Sequence, residues 1–149
     1  MSSSRISFTV VGTPAPQGSK RHVGGGRMIE SSPHVKPWRE SIRAAALEAM
    51  GEDWQQLTGP VGLSLGFYLP RPKGHYGTGR NADSLRPSAP RHPVTKPDLD
   101  KLIRAVLDAL TSAGLWRDDS QVVSILAGKE YADGVSPRLT VGVDQVAAS

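Results

Sequence analysis

Polar and apolar positions alternate at both ends of the chain and in its middle. Ile6, Phe8 and Val10 alternate with Ser7 and Thr9 over 5–11, a period of two that predicts a half-buried strand closed by Gly12 and Pro14. The same period recurs in Val61, Leu63, Leu65, Phe67 and Leu69 between Pro60 and Pro70, and it predicts two further strands near 121–131 and 138–143. Between these runs the period changes. Val35, Trp38, Ile42, Ala45, Ala46 and Ala49 recur at three and four, predicting an amphipathic helix over roughly 33–50 that ends at Gly51. Leu99, Leu102, Ile103, Val106, Leu110 and Ala113 predict a second helix from about Pro97, stopped by Gly114.

The order is therefore strand, helix, strand, long basic loop, helix, strand, strand: a mixed α/β or α+β domain with helices packed on a mixed sheet. At 149 residues the chain has room for one such domain, spanning 1–149. Trp38 and Leu47 are expected in the core, and Trp116 as a buried anchor rather than a base-stacking platform. Two stretches fit neither period. Residues 14–32 carry turn formers and bases and read as a hairpin or arm, and their glycines lack phosphate-loop spacing. Residues 71–97 hold five prolines and three glycines and read as a flexible loop, poorly ordered without a ligand.

Charge falls unevenly on this frame. Residues 1–43 hold seven Lys and Arg against two acids, and 71–97 hold six against Asp83, whereas from Leu102 onward six acids face four bases. Basic arms rich in Gly and Pro suit phosphate neutralisation, and equally suit a solvated loop. Lys20, Arg21, Arg27, Arg71, Lys73, Lys96 and Lys101 are the candidate DNA-binding residues. The absence of cysteine excludes disulfides, thiolate metal sites and a cysteine nucleophile. His22, His34, His75 and His92 lack zinc-ligand spacing. No apolar run approaches the roughly 20 residues that span a bilayer, so no membrane association is expected.

The densest chemistry lies in TKPDLDKLIRAVLDALTSAGLWRDDSQVV, residues 95–123. Residues two apart on a helix point about 200° from each other, so Asp98 and Asp100 converge only if Asp98 lies at or before the cap. Asp98 as an ordinary cap, Asp100 as a macrodipole partner, and Asp118 with Asp119 as a solvated turn are the structural alternatives. Taken together, carboxylates without Cys or spaced His are the ligand set of a hard cation, chiefly Mg²⁺ with Mn²⁺ as a substitute, for which phosphate is the usual further ligand.

KPDLDKLIRAVLDAL followed by WRDDSQVV resembles the signature of the RusA-type endodeoxyribonucleases, which resolve Holliday junctions. The resemblance is strong over 96–123 and weaker elsewhere. It implies that Asp98, Asp100 and Asp119 form a Mg²⁺-binding catalytic site with Asp118 as neighbour. The family's functional lysine corresponds to Arg104 here, and its common asparagine after PDxD to Lys101. An arginine can stabilise phosphate charge but cannot readily shuttle a proton, a task that would fall to Lys101 or Lys96.

The resemblance also implies a homodimer of a cytoplasmic bacterial or phage protein. A globule of this length has a radius of gyration near 15 Å, too small to bracket two strand exchanges, whereas a two-fold dimer presents equivalent sites to equivalent strands. The expectation is a Mg²⁺-dependent nuclease that makes paired nicks in four-way junctions. Its rivals are a non-catalytic branched-DNA-binding protein and a metal-dependent nucleotide phosphohydrolase.

Overall fold

In the computed structural model, residues 5–18, 20–22, 28–30 and 33–147 are described. Strand β1 (Arg5–Val11) is followed by a two-stranded hairpin of β2 (Lys20–His22) and β3 (Met28–Glu30), helix α1 (Val35–Met50) and strand β4 (Val61–Leu69). Helix α2 (Leu99–Ala113) then precedes β5 (Val122–Tyr131) and β6 (Arg138–Gln145). Four strands form one sheet in the order β1-β6-β4-β5, with β4 and β5 parallel and the other pairs antiparallel. The parallel pair requires a crossover, and α2 lies within it.

Both helices pack on one face of this mixed sheet, as the α+β expectation required. Val61, Leu63, Leu65, Phe67 and Leu69 all point into the core from β4, joined by Leu139, Val141 and Val143 from β6. α2 meets them with Leu102, Ala105, Val106, Ala109, Leu110 and Ala113, the stripe that its three-and-four spacing predicts. α1 contributes Val35, Trp38, Ile42 and Ala46. Trp38 and Trp116 are buried as expected. Leu47 is not: it is 39% exposed, because the buried stripe of α1 passes through Ala46 and leaves its neighbour outside.

Residues 71–97 depart from the expected structureless loop. Arg71 is the reason. Its Nε and Nη2 donate to the two carboxylate oxygens of Asp133 at 2.7 and 2.9 Å, its Nη1 donates to the Pro90 carbonyl at 2.7 Å, and its guanidinium lies 4.2 Å from the Tyr131 ring centroid. One side chain thus ties both ends of the loop to the β5–β6 turn. Within it, short 3₁₀ turns at Lys73–His75 and Gly79–Asn81 and a bridge between Tyr76 and Leu85 take up backbone groups.

Candidate active site

Pro97 delivers an extended residue to the start of α2, and Asp98 occupies the cap with φ −71° and ψ 137°. Its carboxylate makes no capping hydrogen bond. The capping alternative therefore leaves the side chain unused, and Asp98 is exposed beside Asp100 in the first turn. Two contacts fix this mouth. Lys129 Nζ donates to the carbonyls of Thr95 and Pro97 at 2.7 and 2.8 Å, and the Gln17 amide donates to the Lys101 carbonyl at 3.0 Å. Lys129 was missed in the sequence, although a signal existed: it occupies a helix-facing position of β5 in line with Ile125, Ala127 and Tyr131, where an apolar residue is expected.

The second acidic element is built differently. Gln121 accepts from the amides of Arg117 and Asp118 at 2.8 and 2.9 Å and donates to the carbonyls of Leu57 and Gly59, clamping the turn to the β4 approach. Asp118 caps the turn by accepting from the Ser120 amide at 3.1 Å. That hydrogen bond, followed by one shared with Asp119, holds Asp118 below the usual carboxylate range. Asp119 shifts the other way. Its hydrogen bond with Asp118, then burial, then the charges of Asp118 and Asp108 raise it.

Asp118 is thus employed in the turn while Asp119 is the carboxyl under pressure. Asp118 satisfies the structural alternative, and Asp119 does not need it.

The two elements do not meet within one chain. Asp119 senses Asp108, which lies ten residues or about 15 Å along α2 from Asp98. Lys129, which touches the Pro97 carbonyl, stands seven strand steps or about 23 Å from Val122, the residue at the Asp119 end of β5. Among the described residues no group of three or more His, Asp or Glu is close enough to hold a metal ion. The antiparallel run of α2 against β5 thus sets Asp98 and Asp100 apart from Asp119 within one protomer, where the three do not fit a shared cation.

The basic candidates separate too. Lys96 and Lys101 flank Asp98 in the chain and line, with it, a cavity of about 930 Å³. Arg104 is exposed one turn after Asp100, with no ion pair among the described residues. Lys73 is exposed. Lys20 and Arg21 fall on β2, and Arg27 lies outside the described residues. Arg71 is a correction: its side chain is 4% exposed and spent on the loop, so it is not presented to a phosphate. Arg39, outward on α1, turns to Gln17 at 2.9 Å and Asp108 at 3.7 Å, tying the helices together.

No helix among the described residues is long and apolar enough to cross a membrane. Residues 10–144 match the family model described as Endodeoxyribonuclease RusA. The chain is also 32% identical over 145 residues to the uncharacterized protein YqaN of Bacillus subtilis (strain 168), covering 96% of this chain and 98% of that one. With a match across nearly its whole length, the chain belongs to the RusA endodeoxyribonuclease family.

Proposed function

We propose that this chain is a divalent-cation-dependent, structure-selective endonuclease that resolves four-way DNA junctions by paired nicks as a homodimer in the cytoplasm. Family membership carries Holliday-junction-resolving endonuclease activity in general terms. The observation that carries the finer reading is Asp98: a cap residue whose carboxylate caps nothing, next to Asp100 and flanked by Lys96 and Lys101.

Dimerisation supplies what one chain lacks. β5 is an edge strand, and Val123, Ile125 and Leu126 are exposed on it at 61, 39 and 77%. Long apolar edges of this kind call for a cover. Antiparallel pairing of β5 with a second copy of itself lays the Asp119 end of each strand against the Lys129 end of the other. Lys129 holds the start of its own α2, so Asp98 and Asp100 of one protomer face the partner's Asp119. Two equivalent three-carboxylate sites result, one per strand to be cut.

Asp98, Asp100 and the partner's Asp119 would hold a divalent cation, which would supply positive charge at the scissile phosphate and acidify a bound water. Lys96 and Lys101 draw the DNA backbone towards the carboxylates and offset their mutual repulsion. Arg104, permanently charged, braces a phosphate oxygen with its planar fork and takes no part in proton transfer. Asp118 keeps the turn that presents Asp119 in shape.

The test is incubation of the protein with a synthetic four-way junction and with linear duplex, in Mg²⁺ or in EDTA, read on a denaturing gel. Symmetric nicks in the junction alone, and only with Mg²⁺, are expected. Turnover of free nucleotides without junction cleavage contradicts the proposal, as does junction binding with no nicking.

A further inference from the structure

Lys129 breaks two rules of its position. It stands on the helix-facing side of β5, in register with the fully buried Phe67 of β4, where an apolar residue is expected. Its ammonium also lies beside the start of α2, and a positive charge at that end opposes the helix macrodipole, which favours cations at the other. Neither packing nor helix stability accounts for it. Breaches of this kind concentrate where function is served.

What the side chain does is specific. Nζ donates to the Thr95 carbonyl at 2.7 Å and to the Pro97 carbonyl at 2.8 Å, two acceptors that precede α2 and have no place in its ladder. Two carbonyls so close in the chain that share one ammonium curl residues 95–97 around it. The residue that leaves this curl is Asp98, extended at φ −71° and ψ 137°, whose own carbonyl accepts the Leu102 amide at 3.1 Å as the first rung of α2. Side chains two apart within a helix point about 200° from each other, so Asp98 and Asp100 serve one cation only while Asp98 is kept out of helical geometry. Thr95 is exposed, and water would satisfy its carbonyl without the cost of ordering a long side chain. The lysine adds a fixed direction that water does not.

We infer that Lys129 is a positioning residue of the nuclease site: by holding the Thr95 and Pro97 carbonyls it keeps Asp98 extended, so that Asp98 and Asp100 share one divalent cation. It acts through the backbone and not on the phosphate. The inference rests on the carboxylate-site reading above and deepens it. It also gives β5 a second duty, because the strand whose outer edge would meet the partner sets the carboxylate pair that the partner's Asp119 completes.

Lys129→Met keeps an unbranched stem and removes the donors, whereas Lys129→Arg keeps donors for both carbonyls. Each is compared with the wild type in four measurements: junction affinity in metal-free buffer, Mn²⁺ affinity from the paramagnetic resonance of the free ion, the Mg²⁺ concentration for half-maximal nicking, and hydrogen exchange at the Leu102 amide. Lys129→Met is expected to bind the junction as the wild type does, to need about tenfold more Mg²⁺, to bind Mn²⁺ correspondingly more weakly and to exchange Leu102 faster. Lys129→Arg should recover most of each loss. A Lys129→Met protein with wild-type Mn²⁺ affinity and Mg²⁺ requirement, whatever its melting temperature, overturns the role of Lys129 alone, as does an arginine variant no better than methionine. Should Lys129→Met fail to fold, Lys129→Gln, with one amide donor group, carries the same comparison. A wild type that shows no metal-dependent nicking of a four-way junction overturns the nuclease reading and the role of Lys129 with it.

Discussion

Among single residues, Asp98, Asp100 and Asp118 differ in what they already do. Asp118 is committed to the Ser120 amide, whereas Asp98 and Asp100 have no side-chain hydrogen bond or ion pair among the described residues. Asp100→Asn is therefore expected to lower nicking by roughly 100-fold or more while leaving junction affinity intact or improved, because it removes a ligand charge and a repulsion together. Gel-shift and cleavage assays on one preparation check both halves. Asp118→Asn has a separate signature: an amide in place of the carboxyl donates to Asp119 and removes a like charge, so Asp119 should titrate lower, as followed by carboxyl NMR shifts. The paired aspartates and the PDxD spacing were plain in the sequence. That one of the DD pair is structural was not, since it depends on Gln121 reaching back to Leu57 and Gly59 across more than sixty positions.

At the level of elements, the strands and helices were legible because each carries its own period. The second helix was anticipated from about Pro97 to Gly114, and α2 runs from Leu99 to Ala113 with Gly114 in the left-handed region at φ 81°. Leu110→Ala, at the fully buried centre of its stripe, should cost about 2–5 kcal/mol in denaturant unfolding. The basic loop was not legible, because its order comes from one distant pair. The hydrogen bond from Arg71 holds Asp133 below the usual carboxylate range. A carboxylate depressed in the folded state stabilises above its unfolded value, about 3.9, and that contribution is lost as pH falls through the folded value. Loop 72–90 should thus stay protected from proteolysis at neutral pH and open in acid below that range, and Arg71→Ala should open it already at pH 7.

For the whole molecule, the sequence held the three proposed ligands but not their separation. Nothing in their spacing reveals that α2 runs antiparallel to β5, and that arrangement sends Asp98 and Asp119 to opposite ends of the same layer. What one protomer divides, two can join along β5. Leu126→Lys, on the exposed edge strand, is expected to leave the fold unchanged by circular dichroism, shift the protein to monomer in sedimentation, and remove Mg²⁺-dependent nicking.

Co-expression of two inactive chains, Asp100→Asn and Asp119→Asn, tests the shared site most directly. In the mixed dimer one site combines Asp98 and Asp100 of the second chain with the partner's Asp119 and is intact, while the other has lost both ligands. The purified mixture should nick one strand of a four-way junction per dimer without completing the paired cut, although each variant alone is inert. A mixed dimer that forms but stays as inert as its parents would contradict a site shared between protomers.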